Sequence, residues 1–248
     1  MPSILLYSLV SVLITSLIAL IGLISIPIKA ERLRKILIYF ISFSAGALFG
    51  DAFIHLLPEL TKNGMKLGYS LAILGGILLF FSLEKVIHWR HCHMPITKTH
   101  VHPFAYMNLI GDALHNFIDG LIIAASYLVS IPAGIATTMA VILHEIPQEI
   151  GDFSVLIYAG FTKTKAILMN FITALTSVLG VIVALTLSKF IGNIESYLIA
   201  LAIGGFLYIA GSDLIPELHK ETKVKVSLIQ MLTFILGVLV MMSLLLLE

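Results

Sequence analysis

Two short stretches of the sequence hold carboxylate, imidazole and amide side chains at helical spacing. The first, Gly111–Gly120, reads G-D-A-L-H-N-F-I-D-G, and the second, His144–Asp152, reads H-E-I-P-Q-E-I-G-D. On an α-helix, residues spaced i, i+3, i+4 and i+7 lie on one face. The sequence therefore predicts two polar helix faces, one made of Asp112, His115, Asn116 and Asp119, the other of His144, Glu145, Gln148, Glu149 and Asp152.

Both stretches lie inside long apolar segments, where charged side chains are costly. Each would cost roughly 2.5–3.5 kcal/mol at the middle of a bilayer, and no lysine or arginine occurs between Lys98 and Lys163 to offset the carboxylates. Protonation would account for the carboxylates alone, whereas a bound metal also uses imidazoles and amides as ligands. We therefore predict a metal site at mid-membrane, in which the following side chains converge: His115, Asp119, His144, Glu145 and Glu149.

The rest of the chain has the composition of a membrane protein. Its 248 residues are 59% hydrophobic and 12% charged, with a mean hydropathy of +1.05, whereas soluble domains carry about 25% charge. A helix needs about 20 apolar residues to cross a bilayer. We predict an all-α integral membrane protein, one domain over residues 1–248, whose first apolar segment is a span and not a signal peptide. Eight spans can be drawn: 3–28, 36–60, 67–88, 104–129, 131–159, 166–188, 197–218 and 226–247.

The basic residues predict the orientation of these spans. With the N-terminus outside, twelve of the 15 lysines and arginines fall on the cytoplasmic side, which is the side that such residues favour. Both termini are then outside, in a multi-pass protein of the cell membrane. Residues 90–103 form a cytoplasmic loop whose histidines are candidates for transient metal binding: His91, His93, His100 and His102. The net charge of +1 argues against nucleic acid as a partner. The expected partners are divalent metal ions and the lipid bilayer.

A weak internal repeat relates the second and seventh spans. The segment 55–59 reads H-L-L-P-E and the segment 213–217 reads D-L-I-P-E, in spans that are predicted to run in opposite directions. Inverted repeats around a midplane site are common in secondary transporters, and a 3+2+3 arrangement of spans is expected. Polar residues on four spans form a possible ion pathway, with interhelical hydrogen bonding as the alternative: Asp51, His55, Glu59, Asp112, Asp152, Asp213 and Glu217.

The mixture of donors narrows the choice of ion. Imidazole combined with carboxylate suits transition metals, whereas magnesium and calcium prefer oxygen ligands. We expect a divalent transition metal as the substrate, and the donor set does not choose among Zn²⁺, Fe²⁺, Mn²⁺ and Co²⁺. Pro147 has no backbone N–H, so it is expected to free the carbonyl of Leu143 and to expose it to a polar cavity; an ordinary membrane-helix kink is the alternative.

The pair H-N-F-I-D-G and H-E-I-P-Q-E resembles the fourth- and fifth-helix signature of the ZIP family of zinc and iron transporters, closest to its LIV-1 type. The resemblance covers nearly the whole chain. It implies import of divalent metal into the cytosol, with Zn²⁺ preferred and Fe²⁺, Mn²⁺, Co²⁺ and Cd²⁺ as further candidates, together with elevator-like rocking of a transport bundle and, often, a homodimer. At Gln148 the LIV-1 type usually has a second histidine, so this chain departs from the pattern there. The implied metal ligands are His115, Asn116, Asp119, His144, Glu145 and Glu149.

Two other functions are compatible with polar residues inside a membrane. An intramembrane metalloprotease uses H-E-x-x-H, in which two histidines one turn apart bind zinc, but Gln148 stands in the second histidine's position. In a proton-coupled carrier of another solute, the carboxylates would relay protons, and the amide and imidazole groups fit that role less well. Metal transport without enzymatic activity is therefore the preferred interpretation.

Overall fold

A computed structural model describes residues 2–25, 30–62, 64–89 and 104–247, and all the regular secondary structure of these residues is helical. This confirms the predicted all-α class. The predicted histidine loop, with His91, His93, His100 and His102, lies outside the described residues. In chain order the α-helices are α1 (Pro2–Ser16), α2 (Ile21–Ser25), α3 (Ala30–Gly50), α4 (Leu57–Thr61), α5 (Leu67–Trp89), α6 (Phe104–Val129), α7 (Ile131–Tyr158), α8 (Lys163–Ala174), α9 (Thr176–Leu187), α10 (Ile194–Tyr208), α11 (Ile215–Leu218) and α12 (Val224–Leu244).

Seven stretches of helix are long and apolar enough to cross a membrane by length and composition. They correspond to seven of the eight predicted spans: Ser3–Leu23, Ile36–Thr61, Leu67–Lys85, Asn108–Val129, Lys163–Leu187, Ile194–Leu218 and Val224–Leu244. The remaining predicted span is α7, a continuous helix of 28 residues. At 1.5 Å per residue, such a helix is about 42 Å long, which is enough to cross a bilayer. Because it carries the second polar face, however, it is not among the seven apolar segments. An eighth crossing therefore stays a prediction.

The weak repeat in the sequence has a structural counterpart in two π-helical segments. Asp51–Leu56 joins α3 to α4, and Ile209–Leu214 joins α10 to α11. In each, the next backbone N–H bonds to the carbonyl five residues earlier, Leu57 to Ala52 and Ile215 to Ala210. Pro58 and Pro216 follow these residues, and a proline has no N–H to bond to the carbonyl four residues before it. The wider turn of the π-helix accommodates this missing hydrogen bond. The two segments occupy equivalent positions in the two Pro-Glu repeats.

Close helix pairs form the two groups from which the molecule is built. One group contains α1, α6, α7, α8 and α9, and the other contains α3, α5, α10 and α12. Helices α6 and α9 approach so closely that a Cβ on Gly120 would lie 1.9 Å from the Ser177 carbonyl oxygen, and one on Gly180 would lie 2.1 Å from that of Phe117. Reciprocal glycines of the same kind join α3 to α12 and α5 to α10: Gly46 with Gly237, and Gly76 with Gly204.

The two groups meet where α3 contacts α7 and α10 contacts α6. At the first contact, the Ser44 hydroxyl of α3 donates a hydrogen bond of 2.5 Å to the carbonyl oxygen of Leu143. This is the carbonyl that Pro147 leaves without its helical N–H partner. The carbonyl is therefore not left unpaired, because a side chain of the neighbouring group donates to it.

Candidate metal site

The connection between α6 and α7 sets the depth of the two polar faces. Only Ser130 separates the helices, and its hydroxyl accepts the backbone N–H of Ala133 to cap α7. So short a connection makes the helices antiparallel neighbours. His115 lies fifteen residues before Ser130 and Glu145 lies fifteen residues after it, so both are about 22 Å from the connection along their helices. The sequence therefore brings the two faces to the same depth.

Four side chains of these faces converge, and we call them the four-residue cluster: His115, Asp119, His144 and Glu145. One ligand atom from each can be chosen so that all four lie within 4.8 Å of one another. The Nε2 atoms of the two histidines are 3.2 Å apart. Nε2 of His144 lies 3.3 Å from Oδ2 of Asp119, and Nε2 of His115 lies 3.4 Å from Oε1 of Glu145. Four of the five side chains predicted to converge do so.

The hydrogen bonds around the four-residue cluster leave its donor atoms available. Nδ1 of His144 lies 3.1 Å from the carbonyl oxygen of Ala140. Since a carbonyl can only accept, Nδ1 carries the proton, and Nε2 of the neutral ring keeps its lone pair for a metal. Both carboxylate oxygens of Asp119 and Oε1 of Glu145 are buried and accept no hydrogen bond from the described residues. The cluster thus combines buried acceptors with oriented imidazoles.

Aromatic rings from the other helix group cover both imidazoles. Phe80 of α5 makes an edge contact with His115, with ring centroids 5.6 Å apart, and Phe206 of α10 does the same to His144 at 6.1 Å. Both phenylalanines are buried. The four-residue cluster is therefore closed by an apolar wall on the side of α5 and α10, which lowers the local polarity and strengthens electrostatic interactions inside it.

A cavity of about 350 Å³ reaches the four-residue cluster from one end of the molecule. Its lining residues include His115, His144 and Gln148, together with Glu84 and Glu217. The Glu217 side chain is 42% exposed, so the cavity is accessible from that end. Toward the connection at Ser130, buried residues lie after the cluster on α6 and before it on α7, among them Ile122, Ile123, Ala140 and Val141.

The other predicted ligands on the two faces lie outside the four-residue cluster. The Asn116 amide donates to Oδ1 of Asp112 at 2.8 Å. Glu149, which was predicted to converge with the cluster, is not a member of it. Its carboxylate instead accepts a hydrogen bond of 2.8 Å from the Asn170 amide of α8. Gln148 is half-buried and lines the cavity. Asp152 also lines the cavity and accepts from the Asn108 amide at 2.9 Å.

The predicted pathway residues of the two repeats lie in different surroundings. Asp51 and His55 are buried in the first π-helical segment, and Nε2 of His55 is 2.9 Å from the carbonyl oxygen of Met241 in α12. Glu59 forms an ion pair with Lys62, and Glu217 forms one with Lys220. Asp213 belongs to the second π-helical segment, and its side chain lies outside the described part of the molecule.

Several residues that surround the site were not predicted from the sequence. Asn170 and Thr173 were detectable, because they are polar residues one turn apart in an apolar span. Asn108 was detectable too, since it extends the polar face of α6 by one turn before Asp112. Phe80 and Phe206 had no such signal, because nothing distinguishes them locally from other apolar residues of α5 and α10.

The donor set of the four-residue cluster matches that of a transition-metal site. Two imidazole nitrogens and two carboxylates are borderline and hard donors, a mixture that suits zinc and its neighbours better than magnesium or calcium. Two neutral imidazoles and two carboxylates balance the charge of one divalent cation. The second histidine comes from α6 and not from the next turn of α7, so the geometry differs from that of the H-E-x-x-H motif.

Most of this chain is similar in sequence to known proteins. The ZIP Zinc transporter family model matches residues 3–104 and 90–245. Zinc transporter ZIP13 of Danio rerio is 33% identical over 94% of this chain and 85% of its own length; ZIP13 of Mus musculus is 35% identical over 87% and 70%. The metal cation symporter ZIP8 of Rattus norvegicus is 29% identical over 89% and 64%. The chain therefore belongs to the ZIP family, whose members are multi-pass membrane transporters of metal ions and not enzymes.

Proposed function

We propose that this protein imports Zn²⁺ into the cytosol and binds the ion at the four-residue cluster during transport. The observation that carries the proposal is the convergence of two imidazoles and two buried carboxylates from α6 and α7 within 4.8 Å. The names of the relatives support zinc as the ion, since ZIP13 is called a zinc transporter and ZIP8 a metal cation symporter. Fe²⁺, Mn²⁺, Co²⁺ and Cd²⁺ are candidate secondary substrates with similar ligand preferences.

The proposed orientation has eight spans, arranged 3+2+3, with both termini outside the cell. In that orientation the cavity opens toward the cytosol, because its lining includes residues near the cytoplasmic ends of four helices: Glu84, Asn108, Asp152 and Glu217. Carboxylates at the mouth of a narrow cavity attract a leaving cation. The structure then represents the state from which the ion is released. Import requires a second state, in which this side closes and the outer side opens.

The binding part of the proposal is tested with purified protein in detergent and in liposomes. We expect zinc binding and zinc uptake in the unaltered chain, and loss of both in His115→Ala and Glu145→Gln. His219→Ala is the matched control, because His219 is exposed at the end of α11 and should leave both unchanged. Equal zinc uptake by His115→Ala and the unaltered chain, at equal expression, would refute the proposed site.

The orientation is tested with the single cysteine of the chain. Cys92 lies in the predicted cytoplasmic loop, so a membrane-impermeant thiol reagent should leave it unlabelled in intact cells and label it after permeabilisation. Labelling of Cys92 in intact cells would show that the topology is the reverse of the proposed one, and that the cavity faces the outside. The homodimer that the family resemblance suggests is a separate proposal, which chemical crosslinking in native membranes would examine.

A further inference from the structure

A group of buried polar side chains lies between α6, α7 and α8, beside the four-residue cluster but outside it. We call this group the polar layer; its members are Asp112, Asn116, Glu149, Asn170 and Thr173, all of them buried. Two members, Asn170 and Thr173, come from α8, which supplies nothing to the four-residue cluster. The polar layer therefore adds a third helix to the surroundings of the site.

The carboxylates of the polar layer are held by hydrogen bonds, unlike those of the four-residue cluster. Nδ2 of Asn170 donates to Oε2 of Glu149 at 2.8 Å and to the backbone carbonyl of Glu149 at 3.3 Å. Asp112 accepts from the Asn116 amide through Oδ1 and from the Thr173 hydroxyl through Oδ2. The carboxylates of Asp119 and Glu145, by contrast, include buried oxygens that accept no hydrogen bond within the described chain.

The charge of the loaded site depends on which carboxylates reach the ion. A divalent cation with the carboxylates of Asp119 and Glu145 and two neutral imidazoles is electrically neutral. Glu149 lies one helical turn after Glu145 on the same face of α7, so it is the carboxylate best placed to become a further ligand. Its addition would give the complex a net negative charge, and an uncompensated buried charge is costly in a medium of low polarity.

We infer that Asn170 is a positioning residue that holds Glu149 outside the coordination sphere of the metal and so restricts the ion to the four-residue cluster. The inference rests on the proposed function. It departs from the ligand set that the family resemblance implies, which includes Glu149. Because the Asn170 amide donates to the Glu149 carboxylate, its removal frees that carboxylate to swing toward the ion.

The test is the coordination of bound metal in Asn170→Ala, measured by X-ray absorption on the zinc-loaded full-length protein. We expect one additional oxygen ligand relative to the unaltered chain. Since a carboxylate is a harder donor than imidazole, the affinity for Mn²⁺ relative to Zn²⁺ should rise as well, by roughly tenfold, in the range typical for changes to residues that orient ligands. Asn170→Ser, which keeps a small polar side chain too short to reach Glu149, should give the same result.

Two further variants separate positioning from simple loss of packing. In the double variant Asn170→Ala with Glu149→Gln, the extra ligand and the shift toward Mn²⁺ should both disappear. Thr176→Ala is the matched control, because the Thr176 hydroxyl links α9 to the Ala113 carbonyl of α6 without touching a carboxylate of the polar layer. It should change neither the coordination nor the metal preference, even if it lowers stability.

The outcomes distinguish this inference from the proposed function. If the unaltered chain binds zinc and His115→Ala does not, but both Asn170 variants keep the original coordination and metal preference, the inference is overturned and the proposed function stands. The inference is also overturned if Glu149→Gln alone removes an oxygen ligand, because Glu149 would then already bind the ion. Absence of zinc binding in the unaltered chain would overturn both.

Discussion

The hydrogen bond between Ser44 and the Leu143 carbonyl joins the two helix groups next to the candidate metal site. Pro147 deprives this carbonyl of its own helical donor, so Ser44, which is buried, supplies the donor at 2.5 Å. In Ser44→Ala the carbonyl oxygen loses that donor, and the hydroxyl that supplied it is fully buried. We therefore predict that Ser44→Ala destabilises the protein more than an ordinary loss of a serine hydroxyl does.

The expected magnitude comes from comparison with Ser42, two residues earlier on the same helix. Ser42 is also buried and also donates at 2.5 Å, to the Gln230 carbonyl, but that carbonyl accepts a second hydrogen bond from the Thr233 hydroxyl at 2.9 Å. Ser42→Ala should lower the free energy of unfolding by about 0.6 kcal/mol, which is the average contribution of a side-chain hydrogen bond in a membrane protein. Ser44→Ala leaves an unpaired group and should cost about 1–3 kcal/mol. A difference of about 1 kcal/mol is roughly fivefold in the equilibrium constant for unfolding.

The assay is reversible unfolding in mixed micelles followed by circular dichroism, with the two serine variants made in two backgrounds. Pro147→Ala returns a backbone N–H that can bond to the Leu143 carbonyl, so in that background Ser44→Ala should cost no more than Ser42→Ala. Such a double-mutant cycle isolates the dependence of the carbonyl on Ser44. Equal costs for the two serine variants in the original background would refute the reasoning.

Two further predictions concern helix packing and ion preference. Gly120→Ala should destabilise the protein by about 1–3 kcal/mol by overpacking, because the added Cβ would lie 1.9 Å from the Ser177 carbonyl oxygen; Gly151→Ala, whose Cβ would meet nothing within 4 Å, is the control, and thermal unfolding of both variants decides. Gln148→His should raise the affinity for Zn²⁺ relative to Mn²⁺, because an imidazole nitrogen replaces an amide oxygen that lines the cavity. Competition uptake of the two metals measures this, and an unchanged ratio would show that Gln148 does not help to choose the ion.

The sequence by itself determined the class of the protein and the faces of its two polar helices. Apolar segments of about 20 residues predict membrane helices because unpaired backbone groups are costly in lipid. The bounds of α6 and α7 agree with the prediction to within a residue, since Ser130 is the only residue between them. The convergence of His115 with Glu145 was also predictable, because helical periodicity and equal distance from one connection are local properties.

Only the tertiary structure decided which polar residues stay together and which have other partners. Glu149 has the periodicity of a ligand, yet it lies against Asn170, a residue of another helix. The Leu143 carbonyl was predicted to be unpaired within α7, yet its donor comes from α3. The physical reason is the same in both cases. Spacing along a helix specifies the direction of a side chain or carbonyl, whereas the group that it meets depends on how distant segments of the chain pack against that face.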